Sequence, residues 1–207
     1  VSVSDAVVTI NDADAAALEV TDLSTIGATT TGIVTASNAI VLTGTQAELA
    51  AALLTDDTKV VATAANVTVE DAVLISELAA IDAVIATVTY ATVEDSVANA
   101  ATNAGTYITG SKTVTLTDAD AAAITAANLS TIGGLTTGTV TVTNAIAITG
   151  SQSEVTAALV TDDTKVSVSD AVVTINDADG TAIAATDLST IGGLTTGTVT
   201  VTNAIAI

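Results

Sequence analysis

Exact internal repetition is the feature that most constrains how this chain can fold. Residues 1–14, VSVSDAVVTINDAD, recur without change at residues 166–179. The phrase STIGGLTTGTVTVTNAIAI occurs at residues 130–148 and again at residues 189–207, and a looser copy occupies residues 24–42. Repeats of this length build a fold by stacking similar pieces, so that each piece contacts its sequence neighbours.

The copies divide the chain into four consecutive units and predict one continuous solenoid over residues 1–207. A chain that stops inside a unit and contains no Met is also expected to be a fragment of a longer array. The four predicted units are residues 1–59, a divergent unit at 60–106, a third at 107–165 and a truncated one at 166–207.

Each unit alternates strand patterns with helix patterns. Residues 166–175 begin with alternating apolar and polar residues, and the following Asn-Asp-Ala-Asp is expected to cap a short Ala-rich helix. Capping boxes at Thr45-Gln-Ala-Glu48 and Ser151-Gln-Ser-Glu154 open two further helices. Strands joined by helices run parallel with right-handed crossovers. We therefore predict an α/β fold, a right-handed repeat solenoid with one long parallel sheet and about seven strand–helix rungs; a pure β-solenoid is the alternative.

The composition argues against most chemistry. The chain has 23 acidic residues against 3 Lys, which gives a net charge of −20, and it has no His or Cys. Nucleic acid, whose phosphates need basic partners, is therefore not an expected ligand. Without a His base or a thiolate, neither nucleophilic catalysis nor a zinc site is expected, so we do not expect an enzyme. No apolar run reaches the roughly 20 residues of a membrane span.

The acidic turns are the first candidate site. Carboxylates stacked from unit to unit could share Ca²⁺, which prefers oxygen ligands. The alternative is that each Asp caps a helix. The candidate ligands are Asp12, Asp14, Asp118, Asp120, Asp177 and Asp179.

Two further polar patterns follow helices or interrupt strands. Thr-Asp-Asp-Thr-Lys places Asp56 and Asp57 after a helix, with Asp162 and Asp163 in the later copy, where a cation or Lys59 and Lys165 would neutralise them. Asn38, Asn144 and Asn203, with Asp5 and Asp170 in the corresponding half-repeats, are predicted to turn corners by bonding to the backbone of the next rung.

The strands also predict a hydroxyl-covered face. In Val-Thr-Val-Thr-Asn, Val140 and Val142 should point inward and the threonines outward. A solvated sheet is the simpler interpretation, and a flat face for ice or sugar is the functional one. The residues of this possible ligand face are Thr139, Thr141, Thr143, Thr198, Thr200 and Thr202.

The phrases ATDLSTIGGLTTGTVTVTNAIAI and ITGSQSEVTAAL resemble the tandem repeats of giant secreted surface proteins of cyanobacteria and green sulfur bacteria, a family that includes a surface protein needed for swimming. The likeness is carried by residues 187–198 and 147–150 and extends over nearly all of the chain except residues 76–105. The resemblance implies an exported, elongated protein of surface-layer, adhesin or appendage type.

Together these observations predict a structural repeat protein at the cell surface or outside the cell, forming or decorating a fibre, sheath or coat. The expected partners are further copies of the chain, bound end to end or laterally, and a surface polysaccharide. The alternative is a binding module, either a calcium-dependent adhesin or an ice-binding solenoid.

Overall fold

A computed structural model describes residues 4–57, 60–102, 105–164 and 166–206 of the chain. The protein divides into two compact units, Val1–Thr92 and Val93–Ile207, and each is described by itself.

The first unit is a succession of short strands and eight-residue helices. Val and Thr, which favour strands, dominate the strands, whereas Ala and Leu, which favour helices, dominate α2. Its elements in chain order are β1 (Val8–Ile10), β2 (Ala17–Glu19), α1 (Val20–Gly27), β3 (Val34–Ala36), β4 (Val41–Gly44), α2 (Gln46–Leu53), β5 (Val60–Val61), β6 (Asn66–Val69), α3 (Ile75–Asp82) and β7 (Thr87–Thr89).

The second unit follows the same plan. Its elements are β8 (Thr92–Asp95), which starts at the boundary, α4 (Val97–Thr102), β9 (Thr113–Leu116), β10 (Ala123–Thr125), α5 (Ala126–Gly133), β11 (Val140–Val142), β12 (Ala147–Gly150), α6 (Gln152–Leu159), β13 (Val166–Ser167), β14 (Val172–Ile175), α7 (Ala185–Gly192) and β15 (Val199–Val201).

All strand pairs are parallel, and the strands form four sheets among the residues that the structure describes. The first unit contains the sheets β1-β3-β5 and β2-β4-β6-β7, and the second contains β13-β11-β9-β8 and β10-β12-β14-β15. Each rung of two strands and a helix is called a repeat below. Equivalent residues of successive repeats lie side by side, as in Val8 opposite Val34. Because the register follows the repeat, each copy of a motif lies beside the next.

The core is built from medium-sized aliphatic side chains. Val140 and Val142 are buried while Thr139, Thr141 and Thr143 are exposed, which confirms the predicted alternation. Helix residues such as Leu129 and Ile132 are also fully buried. Aliphatic side chains of this size on both elements let the helices pack closely on the sheets.

The α/β class and the alternation of strands and helices are confirmed, the helices exclude the alternative of a pure β-solenoid, and two details of the prediction are wrong. Four sheets replace the single long one, because two strands separated by a corner precede each described helix. After Asn-Asp-Ala-Asp at residues 11–14 the chain forms β2, and α1 begins only at Val20; the Asp14 side chain accepts the amide of Ala39 instead of capping α1.

Candidate functional site

The Asp-Ala-Asp turns form a recurring corner, here called the acidic corner, at residues 12–14, 118–120 and 177–179. The carbonyl oxygen of the first Asp in each corner accepts a hydrogen bond from an Asn side chain about one repeat later. The pairs are Asn38 to Asp12 at 2.5 Å, Asn144 to Asp118 at 2.8 Å and Asn203 to Asp177 at 2.6 Å. The predicted corner role of these Asn residues is confirmed, although they bond to the preceding rung rather than the next. Asp170 instead accepts a hydrogen bond from Ser169 Oγ at 3.1 Å.

In the corners at residues 118–120 and 177–179, the first Asp side chain caps a helix, but the helix belongs to the preceding repeat. Asp177 Oδ2 lies 2.6 Å from the amide of Gln152, the first residue of α6. Asp118 contacts the amide of Val97 in the same way at 2.7 Å. The negative carboxylate thus meets the positive end of a helix, where free amides need acceptors. The predicted capping chemistry is present, with a different helix as its target.

The second Asp side chain accepts the amide of the residue that follows the corner Asn. Asp14, Asp120 and Asp179 accept hydrogen bonds from the amides of Ala39, Ala145 and Ala204 at 2.9, 3.1 and 3.1 Å. At residues 118–120 and 177–179 the two acids of the corner therefore tie together the repeats on either side of it.

The residue after each acidic corner has a left-handed backbone. The φ angles of Ala15 and Ala121 are 62° and 60°, and Gly180 occupies the corresponding place with φ 76°. Only glycine adopts this region without a steric cost from Cβ. The conformation lets the amides of Ala15, Ala121 and Gly180 donate to carbonyls of the neighbouring repeat, at 2.9, 2.8 and 2.7 Å.

The same corners were the candidate calcium sites. Five of the six candidate carboxylates accept backbone amides: those of Asp14, Asp118, Asp120, Asp177 and Asp179. Within the described ranges, no three acidic side chains come together in a way that could hold a metal ion. Calcium binding remains a prediction, and a cation there would have to share carboxylates that already bond to the backbone.

The acidic residues of the Thr-Asp-Asp-Thr-Lys segments lie at the surface. Asp56, Asp57, Asp162 and Asp163 are all exposed. Asp162 and Asp163 line a cavity of about 200 Å³ together with Thr136 and Thr137. Lys59 and Lys165, their predicted partners, lie outside the described residues.

The predicted ligand face contains aligned rows of hydroxyls. Thr200 belongs to an unbroken row of four threonines across one sheet, namely Thr125, Thr149, Thr174 and Thr200. Thr141 lies between Thr115 and Ser167 in another sheet. Thr139 and Thr198 are exposed, one residue before β11 and β15, whereas the Thr143 and Thr202 hydroxyls donate to the carbonyls of Leu116 and Ile175 at 3.2 and 3.3 Å.

A second recurring corner was missed by the sequence reasoning. It is the Thr-Thr-Gly segment at residues 30–32, 136–138 and 195–197, here called the hydroxyl corner. The Thr136 hydroxyl donates to the carbonyl of Lys112 at 2.5 Å and accepts from the amide of Gly138 at 2.9 Å. Thr30 and Thr195 make the equivalent bonds to Ala6 and Ala171. The recurrence of this triplet in every regular copy was the available signal.

The glycine of the hydroxyl corner lies directly against the preceding repeat. A Cβ on Gly138 would lie 2.3 Å from the carbonyl oxygen of Lys112, and one on Gly32 or Gly197 would meet the equivalent carbonyl oxygen at 2.1 or 2.2 Å. The close approach explains why glycine follows the two threonines in every copy.

Both predicted capping boxes are confirmed. In each, the N-cap hydroxyl accepts the amide three residues later, and the Glu side chain accepts the N-cap amide, at 2.9 Å for Glu48 and 2.7 Å for Glu154. The backbone hydrogen bond from Thr45 is the main cause that lowers the pKa of Glu48, and the bond from Ser151 does the same for the pKa of Glu154; the N-cap hydroxyls add to both shifts. The ionised carboxylates are therefore stabilised by the fold.

No protein-family model, curated protein or solved structure matches this chain. Within the described residues, no helix is long and apolar enough to cross a membrane. The arguments about function therefore rest on the repeats and their contacts.

Proposed function

We propose that this protein is a structural repeat protein of an extended assembly outside the cell, a surface fibre, sheath or coat. In this proposal the chain is a right-handed solenoid that grows by adding repeats. The observation that carries it is that side chains at both corners bond to the neighbouring repeat at nearly constant separations of 24–27 residues. Each repeat thereby offers the next one the same set of donors and acceptors.

The composition supports the same function. The contacts between repeats use backbone carbonyls, hydroxyls and carboxylates, and the core uses small aliphatic side chains, so the array needs neither disulfides nor metals for its basic stacking. A net charge of −20 keeps such an array soluble and repels unrelated acidic surfaces.

The experiment is to measure the shape of the purified chain by small-angle X-ray scattering, with negative-stain microscopy of the native material. A compact domain of 207 residues has a radius of gyration of about 17 Å. Seven strand–helix rungs and a final strand, spaced about 4.8 Å apart, extend only about 35 Å, so the radius of gyration of the single chain should stay near that of a compact domain. We expect the native material, in contrast, to form elongated fibres or layers. Compact, monodisperse particles of native material would contradict the proposal.

Surface recognition by the hydroxyl rows is a second candidate. It is favoured by the four aligned threonines of one sheet, since neighbouring strands hold their hydroxyls about 4.8 Å apart. Ice or a polysaccharide is the expected ligand class. Ice binding would be supported if the protein shows thermal hysteresis, if Thr149→Lys abolishes this hysteresis, and if the control Thr131→Lys on helix α5 does not. Absence of hysteresis at high protein concentration would eliminate ice binding.

A calcium-dependent adhesin is tested by melting the protein with Ca²⁺ and with EGTA. A cation that binds the folded state must raise the melting temperature. Equal melting temperatures in both conditions would remove calcium from the proposal.

A further inference from the structure

The first unit carries an apolar groove beside β1, β2 and α1. The groove has a volume of about 380 Å³. Ile10, Leu18 and Ile26 supply its apolar lining, and the carboxylates of Asp12 and Asp22 lie at the same groove. Ile10, Leu18 and Ile26 are only partly covered, and Val7, just before β1, is 73% exposed.

The same repeat positions in the second unit are buried. Residues 1–14 are identical to residues 166–179, so Ile10 corresponds to Ile175. The same offset relates Leu18 to Ile183 and Ile26 to Ile191. Ile175 and Ile191 are fully buried and Ile183 is 3% exposed. Equivalent side chains are thus covered in one copy and partly open in the other.

A strand and a helix do the covering in the second unit. Strand β12 pairs with β14 from Ala147 opposite Val172 to Gly150 opposite Ile175, and α6 packs against α7. Strand β1 corresponds to β14 but is the outer strand of its sheet among the described residues. That sheet has three strands where each of the other sheets has four.

The two groove carboxylates also have engaged counterparts. Asp177 accepts the backbone amide of Gln152 at 2.6 Å, and Asp187 accepts the side-chain amide of Gln152 at 3.3 Å. Asp12 and Asp22 are their repeat equivalents. The acidic side of the groove therefore matches the contacts of Gln152 at the start of α6, and its apolar side matches side chains that are buried in the second unit.

We propose that the groove is a docking surface for a strand–helix repeat with the sequence pattern of residues 147–165. The docked strand would pair with β1 as β12 pairs with β14, and the Gln at the start of the docked helix would reach Asp12 and Asp22. The proposal extends the proposed function by naming the partner of one end of the array. It can be tested on a single repeat whether or not long assemblies form.

The test joins a copy of residues 147–165 to the amino end of the chain, which restores the sequence order found at residues 147–179. The control extension contains the same residues in scrambled order. We expect the matched extension to raise the melting temperature by about 5 °C, roughly the gain from one to two kcal/mol in a chain of this size. Hydrogen exchange of the β1 amides should slow at least about tenfold.

Asp12→Ala separates docking from a general effect of the added residues. It should leave the melting temperature of the original chain nearly unchanged but remove part of the gain in the extended chain. Asp177→Ala, which breaks the equivalent contact inside the second unit, should lower the melting temperature of both chains. Equal β1 exchange and melting temperature for the matched and scrambled extensions would overturn the proposal.

A second copy of the chain is the competing occupant. The oligomeric state of the original chain is measured by sedimentation over a range of concentrations, and we expect no dimer that forms through the groove. A dimer formed through the groove would be recognised because Leu18→Glu abolishes it. If such a dimer forms, the groove binds a second copy and the assignment of a strand–helix repeat is wrong.

Discussion

The two corners of each repeat achieve the same connection by opposite means. The hydroxyl corner buries a threonine and brings a glycine against a backbone carbonyl, whereas the acidic corner makes its bonds with carboxylates that are half-buried, as in Asp118 and Asp177, or exposed, as in Asp120. Thr136 is 8% exposed, while Asp120 is exposed. Buried contacts without room for adjustment lose more free energy on mutation than solvated ones. The hydroxyl corner should therefore be the less tolerant of the two.

The largest expected effect is that of Gly138→Ala. Its Cβ would lie 2.3 Å from the carbonyl oxygen of Lys112 and 2.8 Å from that of Ser111, both backbone atoms that cannot move without shifting the strand. We expect a loss of about 3 kcal/mol or more. This would lower the melting temperature by roughly 6–12 °C in thermal unfolding followed by circular dichroism.

Gly192→Ala is the matched control, because a Cβ there meets no atom within 4 Å. That change should leave the melting temperature unchanged or slightly higher, since alanine favours the helix. Similar losses for both variants would show that close approach is not what makes the hydroxyl corner intolerant.

Removing the buried hydroxyl should have the next largest effect. Thr136→Val keeps the shape but removes the hydrogen bonds that the buried Thr136 hydroxyl makes with the amide of Gly138 and the carbonyl of Lys112. We expect a loss of about 2 kcal/mol in chemical denaturation. Thr139→Val, at an exposed position just before β11, should change stability by less than about 0.5 kcal/mol. Equal effects at the two positions would remove the distinction between buried and exposed hydroxyls.

Much of the fold could be predicted from the sequence, because the periodic signals were strong. The capping boxes at Thr45 and Ser151, the inward valines of β11 and the Asn corners all depend on local patterns with a known geometry. The parallel arrangement followed from strands joined by helices.

The rest could not be predicted because it depends on which repeat a side chain reaches. Asp177 lies next to its own strand in sequence, yet its carboxylate caps α6, 25 residues earlier. The division into four sheets likewise depends on how sharply the chain bends at each corner. For the Thr-Thr-Gly triplet the signal was present in the repetition, but the contact that explains it spans 24 residues.

The acidic corners contain a natural test of backbone strain. Gly180 and Ala121 occupy the same position with φ 76° and 60°. Gly180→Ala should therefore cost about 1 kcal/mol, and Ala121→Gly should gain a similar amount, because alanine carries a steric cost in this region. Differential scanning calorimetry of the two variants measures both changes. If both substitutions destabilise, the corner bonds rather than the backbone set the preference at this position.

The smallest expected effect concerns the carboxylate at the start of α6, the helix that the acidic corner caps. The fold lowers the pKa of Glu154, so its ionised form contributes stability that is present above the pKa of the unfolded chain and is lost as the pH falls through the folded pKa. Glu154→Gln should be less stable than the original chain near neutral pH, and the difference should vanish in acid.

The measurement is the difference in melting temperature between the two proteins from about pH 7 to about pH 3, a range that spans the ordinary titration of Glu. Glu77→Gln, in the first turn of α3, where Leu74 provides no side-chain cap, is the control for replacing a helix Glu that lies outside a capping box. If the difference between Glu154→Gln and the original chain stays constant across this range, the capping box acts through hydrogen-bond geometry alone. The charge of the Glu154 carboxylate would then contribute nothing to the stability of the protein.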